Sequence, residues 1–484
     1  VAKTQRRRGK LEKTQEWVGG IMCDTADDGV GISNSVPEQE RLKRAGLRSA
    51  DISALMPFAR ALAEARENRD SHIGFVGYNK TVAGNKVLIA IDREYDLDVP
   101  HAVAAALREK GAHVDILIAD MGNPDREFDY LDEVEVIMRR EPWDKNPRRW
   151  EGMPYIEDFA LRGGYDLLIH GKGGPIPKTD FRYEQIPWLR PEHFLQRSTT
   201  YPLDLHLLIN KKTWDPIWEY GRGGRARLTD AEGTDISWTY WDEYYDGTRY
   251  GFSSTPRNGH LFGHPVPPII AKEDASGVVS GTTSHFSRAF PQVKVELEGG
   301  QIVKILGGAA YGDAWRDLFE ESKRTQYPCF PRPGLFYLWE VAIGTNPKIL
   351  RPSGIEKHSS GGFEWERRRS GVIHMGFGTL WRSAEEKWAG ENGILYGHLH
   401  IHLLFATFTI TTKTGKEYTI IRNGRLTALD DPEVRELAKK YGDPDDLLRE
   451  DWIPQIPGIT SAGSYQEYAQ NPGQWIYAKA ENRG

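Results

Sequence analysis

Cysteine is scarce in this chain: its 484 residues include two, Cys23 and Cys329. They are far apart and form no Cys-x-x-Cys pair, which argues against both a disulfide framework and a cysteine-zinc site. The chain also lacks any apolar run near the ~20 residues that span a bilayer. Residues 1–17 have no apolar core of a secretory signal. We therefore expect a soluble protein of the reducing cytoplasm, without a membrane partner.

An excess of positive charge is also missing. The chain has 63 Lys and Arg against 69 Asp and Glu, a net charge of −6, and no basic domain. This balance argues against nucleic acid as a partner. With 39% hydrophobic and 11% aromatic residues, the chain has core material for two or three domains.

The first half predicts helices and buried strands in alternation. Residues 37–70 show helical spacing of apolar side chains, and we assign residues 1–70 to an N-terminal helical extension. Three buried strands then alternate with helices, in the order strand 84–92, helix 99–110 with Gly111 as its C-cap, strand 113–119, helix 155–162 and strand 164–171. This rhythm indicates a parallel, Rossmann-like sheet in an α/β domain over residues 71–221.

The second half changes to the alternation of β-strands. Hairpins are predicted at Gly299-Gly300 and Asn423-Gly424, and helices over 313–323 and 431–440. We expect residues 222–484 to form a β-rich α+β domain that carries a metal site. The stretch 178–257 is rich in Trp and Tyr, which fits either core or a cap that stacks on an aromatic substrate.

One short predicted strand contains three closely spaced histidines. His398, His400 and His402 alternate with Leu399 and Ile401, so a strand carries the three imidazoles on one face. Imidazole is the commonest metal ligand in proteins. A surface strand with chance histidines is the alternative, but an apolar segment, 403–410, follows directly. The pattern favours a transition-metal site.

Several segments resemble, in order, the motifs of the aminopeptidase T type of thermophilic metallo-aminopeptidases. The opening α/β unit and the β-hairpins of that family are similar to residues 86–117 and 281–303. Its short motifs are similar to GTDISW (233–238), NGHLFGHP (258–265), LWEVAIGTNP (338–347), GVIHMGFGTLW (371–381) and LHIHLLF (399–405). The resemblance implies an α/β domain followed by a metal-binding domain, and a homodimer.

The resemblance also implies which residues bind metal. The carboxylate and the two histidines of the family motifs are matched by Glu340, His374 and His400. Three positions differ from the family motifs, because a Glu, an Asp and a Tyr of the family are replaced by His260, His402 and Trp381. Two carboxylates are thus lost and two imidazoles gained.

This exchange changes the expected chemistry. A dinuclear hydrolytic site uses bridging carboxylates, whereas one carboxylate with two histidines suits a single Fe(II) with open positions. Glu340, His400 and His402 are the predicted triad, and His398 is a further ligand or supports one. The chain in this respect resembles the 2,5-dihydroxypyridine dioxygenase-like branch of the fold.

The remaining histidines receive other roles. His374 is a ligand or a general acid/base, and His260 is a ligand or a substrate contact; both are assigned to catalysis. His264, His285 and His358 receive no role.

The first functional hypothesis is an Fe(II)-dependent dioxygenase that uses O₂ to open a hydroxylated aromatic or N-heteroaromatic ring. The second is an aminopeptidase or amidohydrolase with Zn, Co or Mn, in which a metal-activated water attacks a carbonyl. The third is a non-catalytic binding protein, which the dense imidazole cluster disfavours.

Overall fold

The computed structural model describes residues 52–65, 77–91, 95–118, 129–142, 153–171, 182–186, 188–246, 260–262, 269–351, 366–380 and 383–477. All of these lie in one compact unit, Ala50–Gly484. None of the helices in these ranges has the length and apolar character that crossing a bilayer requires.

The first layer is the predicted parallel sheet. Its strand order is β2-β1-β3-β4, and every pair is parallel. The strands are β1 (Lys86–Ile91), β2 (His113–Ile118), β3 (Leu167–His170) and β4 (Arg182–Gln185). The helices before and between them are α1 (Met56–Ala63), α2 (Asp98–Glu109), α3 (Tyr130–Ile137) and α4 (Met153–Arg162). The predicted α/β architecture is therefore confirmed.

Strand β1 shows why the strands of the parallel sheet are continuous apolar runs in the sequence. Val87 and Ile89 pack against helices α1 and α2, whereas Leu88 and Ala90 pack on the opposite face against α4. A parallel sheet is covered by helices on both faces, so both sets of alternate side chains must be apolar. Helix α2 is followed by Gly111 with a φ of +87°, as the predicted glycine C-cap requires.

The second layer is an antiparallel sheet of eight strands in the order β10-β9-β8-β6-β5-β14-β15-β16. They are β5 (Arg225–Thr229), β6 (Asp235–Thr239), β8 (Ser276–Thr283), β9 (Ala289–Glu298), β10 (Gln301–Gly307), β14 (Thr407–Thr411), β15 (Glu417–Arg422) and β16 (Arg425–Leu426). Both predicted hairpin turns are present, with positive φ at Gly299, Gly300, Asn423 and Gly424. Such dipeptides fit the two-residue turns that match strand twist.

A third, smaller sheet carries the histidines. Its order is β13-β12-β11-β7, all antiparallel. The strands are β7 (His260–Phe262), β11 (Leu338–Gly344), β12 (Ile373–Gly378) and β13 (His398–Leu403). The β-rich second half is confirmed, while the three predicted domain ranges stay predictions.

The remaining helices are short, with two exceptions. They are α5 (Pro191–Phe194), α6 (Leu203–Trp218), α7 (Asp242–Asp246), α8 (Ala309–Ser322), α9 (Ala384–Glu391), α10 (Pro432–Ala438), α11 (Pro444–Leu447), α12 (Tyr465–Gln470) and α13 (Gly473–Ile476). Helix α6 was missed by the sequence analysis, which grouped it with the aromatic stretch. It packs Leu205, Ile209 and Ile217 into the main core.

The Trp/Tyr-rich stretch also serves the core. Trp188, Trp214, Trp218 and Trp238 are each at most 6% exposed, and the last three belong to the main hydrophobic cluster. Of the two readings of this stretch, the burial supports core. The predicted helix over 37–70 is described at residues 52–65, where α1 is shorter than expected; residues 37–51 and 66–70 lie outside the described residues.

Candidate metal centre

The pairing of β12 with β13 brings four histidines to one face of the small sheet. His374 lies opposite His402, Gly376 opposite His400, and Gly378 opposite His398. Directly opposed residues of an antiparallel pair share a face. The predicted strand with three imidazoles on one side is thus present, and His374 joins it from the neighbouring strand.

Two of these positions are glycines at which a side chain would meet close neighbours. A Cβ atom at Gly376 would lie 2.7 Å from His400 Nε2 and 3.0 Å from the Trp339 ring. At Gly378 a side chain would meet the carbonyl oxygen of Gly397 at 2.2 Å. Gly376 therefore leaves the space above β12 that the His400 imidazole occupies, and Gly378 allows the close approach of the backbone at Gly397.

Glu340 joins the same face from β11, where it lies opposite Gly376. Its Oε2 is 3.1 Å from His400 Nε2 and 3.4 Å from His374 Nε2. Donor atoms that bind one transition metal at about 2.0–2.1 Å lie about 3 to 3.5 Å apart. The distances from Glu340 Oε2 to both histidine nitrogens therefore fit ligands of a single ion.

A fifth histidine joins Glu340 and the four strand histidines from a turn of the large sheet. His285 lies in the turn between β8 and β9, and its ring centroid is 4.1 Å from that of His400 and 5.2 Å from that of His374. Ligand atoms of these three histidines all lie within 4.8 Å of one another. The sequence analysis gave His285 no role, because nothing local to GTTSHFSRAF indicates which distant strand it faces.

Burial determines the protonation state of His285, His374 and His400. It lowers the pKa of His285, His374 and His400 well below the usual value, and neighbouring histidines lower these pKa values further. The three rings are therefore neutral at pH 7, which is the form that binds metal. His400 Nδ1 is buried and has no hydrogen-bond partner among the described residues.

Arg367 contributes a positive charge beside the centre. Burial lowers the pKa of its guanidinium to about 10, and the Glu340 carboxylate opposes that shift. Arg367 therefore stays cationic at neutral pH. It also lowers the pKa of His285 and His374.

Of the remaining strand histidines, His402 orients His374 and His398 lies at the edge of the centre. His402 Nε2 is 2.6 Å from His374 Nδ1, so this bond turns the other nitrogen of His374 toward Glu340. Metal-binding histidines commonly use their second nitrogen in this way. The Nδ1–H of His398 donates to the carbonyl oxygen of Thr379 at 3.0 Å. At 8% exposure His398 still reaches solvent, whereas His400 and His402 do not.

Trp339 reaches the same face through an irregularity in β11. The pairing of β11 with β12 shifts between Leu338 and Glu340, and a bulge of this kind re-aims a side chain. The centroid of the Trp339 ring lies 4.9 Å from the centroid of the His398 ring and 6.0 Å from that of the His400 ring, and both ring pairs are T-shaped. The sequence alone, with strict alternation, would point Trp339 away from Glu340.

The structure thus brings together all four predicted ligands, Glu340, His398, His400 and His402, along with His374. It adds His285. His260 begins β7 opposite Gly344, and its side chain lies outside the described residues, as do His264, His358 and Trp381. The individual ligand and catalytic assignments stay predictions.

No model of a known protein family matches the chain, and no curated protein sequence matches it. Two solved structures are similar to it. The 2,5-dihydroxypyridine dioxygenase from Pseudomonas putida KT2440 is 13% identical with a TM-score of 0.43, over 80% of this chain and 100% of that one. Wild-type AmpT from Thermus thermophilus is 15% identical with a TM-score of 0.42, over 80% of this chain and 99% of that one. These are the two groups that the sequence motifs resemble, and at such values the reaction has to be argued from this chain's own side chains.

Proposed function

We propose that this protein is a mononuclear, Fe(II)-dependent dioxygenase that opens a hydroxylated aromatic or N-heteroaromatic ring. The observation that carries the proposal is the donor set: ligand atoms of the buried, neutral imidazoles of His285, His374 and His400 lie within 4.8 Å of one another, and the Glu340 carboxylate lies beside two of them, His374 and His400. Two histidines and one carboxylate with open positions are typical of a single non-haem Fe(II), and this donor set contains such a triad with one further imidazole.

In this proposal His285, His374, His400 and Glu340 hold the iron. When bound, Fe(II) supplies the redox chemistry that lets O₂ react with an electron-rich ring. His402 supports the metal through its bond to His374 rather than as a ligand, which differs from the sequence-based assignment. The predicted aminopeptidase alternative depends on bridging carboxylates for two ions, and the donor atoms gathered here are mostly imidazole nitrogens.

The chain's other groups bind and prepare the substrate. Loss of its hydroxyl proton makes a hydroxylated ring more electron-rich, and His398 is suited to accept that proton. Its Nδ1–H is held by the Thr379 carbonyl, which leaves the second nitrogen as the basic one. The positive charge of Arg367 stabilises the anion that results. Trp339 forms a flat apolar wall beside His398.

Metal content tests the proposal first. Protein purified without added metal is analysed by inductively coupled plasma mass spectrometry, beside His400→Ala and the control His113→Ala, whose histidine is exposed on β2. We expect about one iron per chain in the wild type and the control, and loss of iron in His400→Ala. Two zinc, cobalt or manganese ions per chain would contradict a mononuclear iron enzyme.

Activity then separates the two enzyme classes. Oxygen uptake is measured with Fe(II)-loaded protein and a panel of hydroxypyridines and hydroquinones. Release of amino acids from aminoacyl amides is measured with Zn, Co or Mn. Uptake that depends on both iron and ring substrate supports the dioxygenase, and amide cleavage without it supports the hydrolase. The homodimer and the cytoplasmic location stay predictions, which light scattering and cell fractionation can test.

A further inference from the structure

The turn that carries His285 has a closely determined conformation. It spans residues 284–288, between the paired residues Thr283 of β8 and Ala289 of β9. The Ser284 N–H donates to the Arg288 carbonyl at 2.8 Å, and the Arg288 N–H donates to Ser284 Oγ at 3.0 Å. Such a turn presents His285 in one orientation, toward the strand histidines.

A buried carboxylate from another part of the chain lies inside this turn. Glu133 of α3 is 1% exposed. Its Oε2 accepts a hydrogen bond from Ser284 Oγ at 2.5 Å, and its Oε1 accepts one from the Phe286 N–H at 3.3 Å. Arg288 Nη1 lies 3.8 Å from Oε2. Glu133 therefore contacts the residues on both sides of His285.

The surroundings of Glu133 hold it firmly. Helix α3 begins with a capping box, in which Asp129 and Asp132 each bind the other's backbone N–H, a motif that fixes the first turn of a helix. Burial raises the pKa of Glu133 to about 7, and Arg288 and the hydrogen bonds of the turn oppose that shift. A carboxyl group buried to this degree is tolerated because its partners satisfy it.

We propose that Glu133 is a positioning residue of the metal centre, whose carboxylate sets the 284–288 turn and thereby places the His285 imidazole against His374 and His400. The proposal rests on the metal centre proposed above. Glu133 does not contact the metal or the substrate in this arrangement. It acts through His285, in the way that residues which orient metal ligands without binding the metal commonly act.

The test is Co(II) affinity, followed by the visible absorption of the bound ion, in full-length Glu133→Gln. A glutamine side chain offers one acceptor oxygen where the carboxylate offers two, so it cannot accept from both the Ser284 hydroxyl and the Phe286 N–H as Glu133 does. We expect cobalt affinity to fall about 10- to 100-fold, with an altered spectrum. Ser284→Ala, which removes one partner and keeps the carboxylate, provides the same readout if Glu133→Gln does not fold.

Glu273→Gln is the matched control. Glu273 is also buried, its pKa is also raised to about 7 by burial, and it accepts backbone hydrogen bonds from Asp274 and Ala275 at 3.1 Å. These two bonds lie just before the start of β8, whereas the 284–288 turn follows the end of that strand, so Glu273→Gln should lower stability and leave cobalt affinity unchanged. Equal losses of affinity in both variants, or none in Glu133→Gln, would overturn the positioning role.

A double variant shows whether the effect passes through His285. If Glu133 acts in this way, adding Glu133→Gln to His285→Ala causes no further loss of cobalt affinity. Additive losses would contradict the proposal. If the wild-type protein itself binds no cobalt, the metal centre is refuted and the positioning role with it, a result distinct from a wild type that binds and variants that behave alike.

Discussion

Gly376 offers the sharpest test of the metal centre, because one added methyl group would press directly on a proposed ligand. An ideal Cβ at this position lies 2.7 Å from His400 Nε2 and 3.0 Å from two atoms of the Trp339 ring. Gly376 has no positive φ among the described backbone angles. Gly376→Ala therefore acts by crowding and not by backbone strain.

The size of the effect follows from these distances. Ordinary contacts of a Cβ begin near 3.4 Å, so His400 Nε2 has to retreat by about 0.7 Å, more than the ~0.5 Å that a working site tolerates. Overpacking of this kind costs about 1–3 kcal/mol of folding stability. We expect metal affinity to fall about 10- to 100-fold, which corresponds to about 1.4–2.8 kcal/mol.

The assay is a titration with Fe(II) or Co(II), combined with denaturant unfolding. Gly171→Ala is the control, because its Cβ would meet the Tyr95 ring and hydroxyl at 2.5–2.7 Å in the parallel sheet. Both variants should lose stability, and Gly376→Ala alone should lose metal affinity. Wild-type affinity in Gly376→Ala, at a stability loss similar to that of the control, would refute the metal role of His400.

Three further predictions concern other contacts. His402→Ala removes the 2.6 Å bond that orients His374, and we expect about 10- to 100-fold weaker metal binding by calorimetry. Thr345→Val removes a buried hydroxyl that donates to Asn210 Oδ1 at 2.6 Å, and it should cost about 1–3 kcal/mol in urea unfolding without changing metal content. Burial lowers the pKa of His206 to about 3, so the unfolded chain binds an extra proton as the pH falls below about 6.5, and this group alone should remove about 2 kcal/mol of stability between pH 7 and 5.

Each of these has a result that would contradict it. Unchanged metal binding in His402→Ala would mean that His374 needs no orienting partner. Loss of metal from Thr345→Val would link the end of β11 to the centre more tightly than hydrogen bonding alone suggests. A His206→Gln variant whose stability falls with pH as steeply as the wild type would show that His206 is not held neutral in the fold.

Local patterns in the sequence predicted much of the fold. The helix α2 with its glycine cap, three of the four strands of the parallel sheet and the turns at Gly299-Gly300 and Asn423-Gly424 depend on neighbouring residues, and all of them are present, whereas strand β4 was not predicted. The helix α6 was missed, because its buried face is interrupted by the polar residues His206, Asn210 and Thr213 and the helix contains Pro216 near its end. Its helical state is supported by packing into the core, which no local pattern reports.

For the candidate site, the sequence by itself determined the alternation that places His398, His400 and His402 on one strand face, because side-chain direction in a strand follows from the backbone. Only the tertiary structure decided what surrounds that face. The register of β12 on β13 set His374 against His402, and the turn held by Glu133 brought in His285. These contacts join residues 28 to 151 positions apart in the chain. They depend on how strands pair and sheets pack, and periodicity within a single segment carries no information about either.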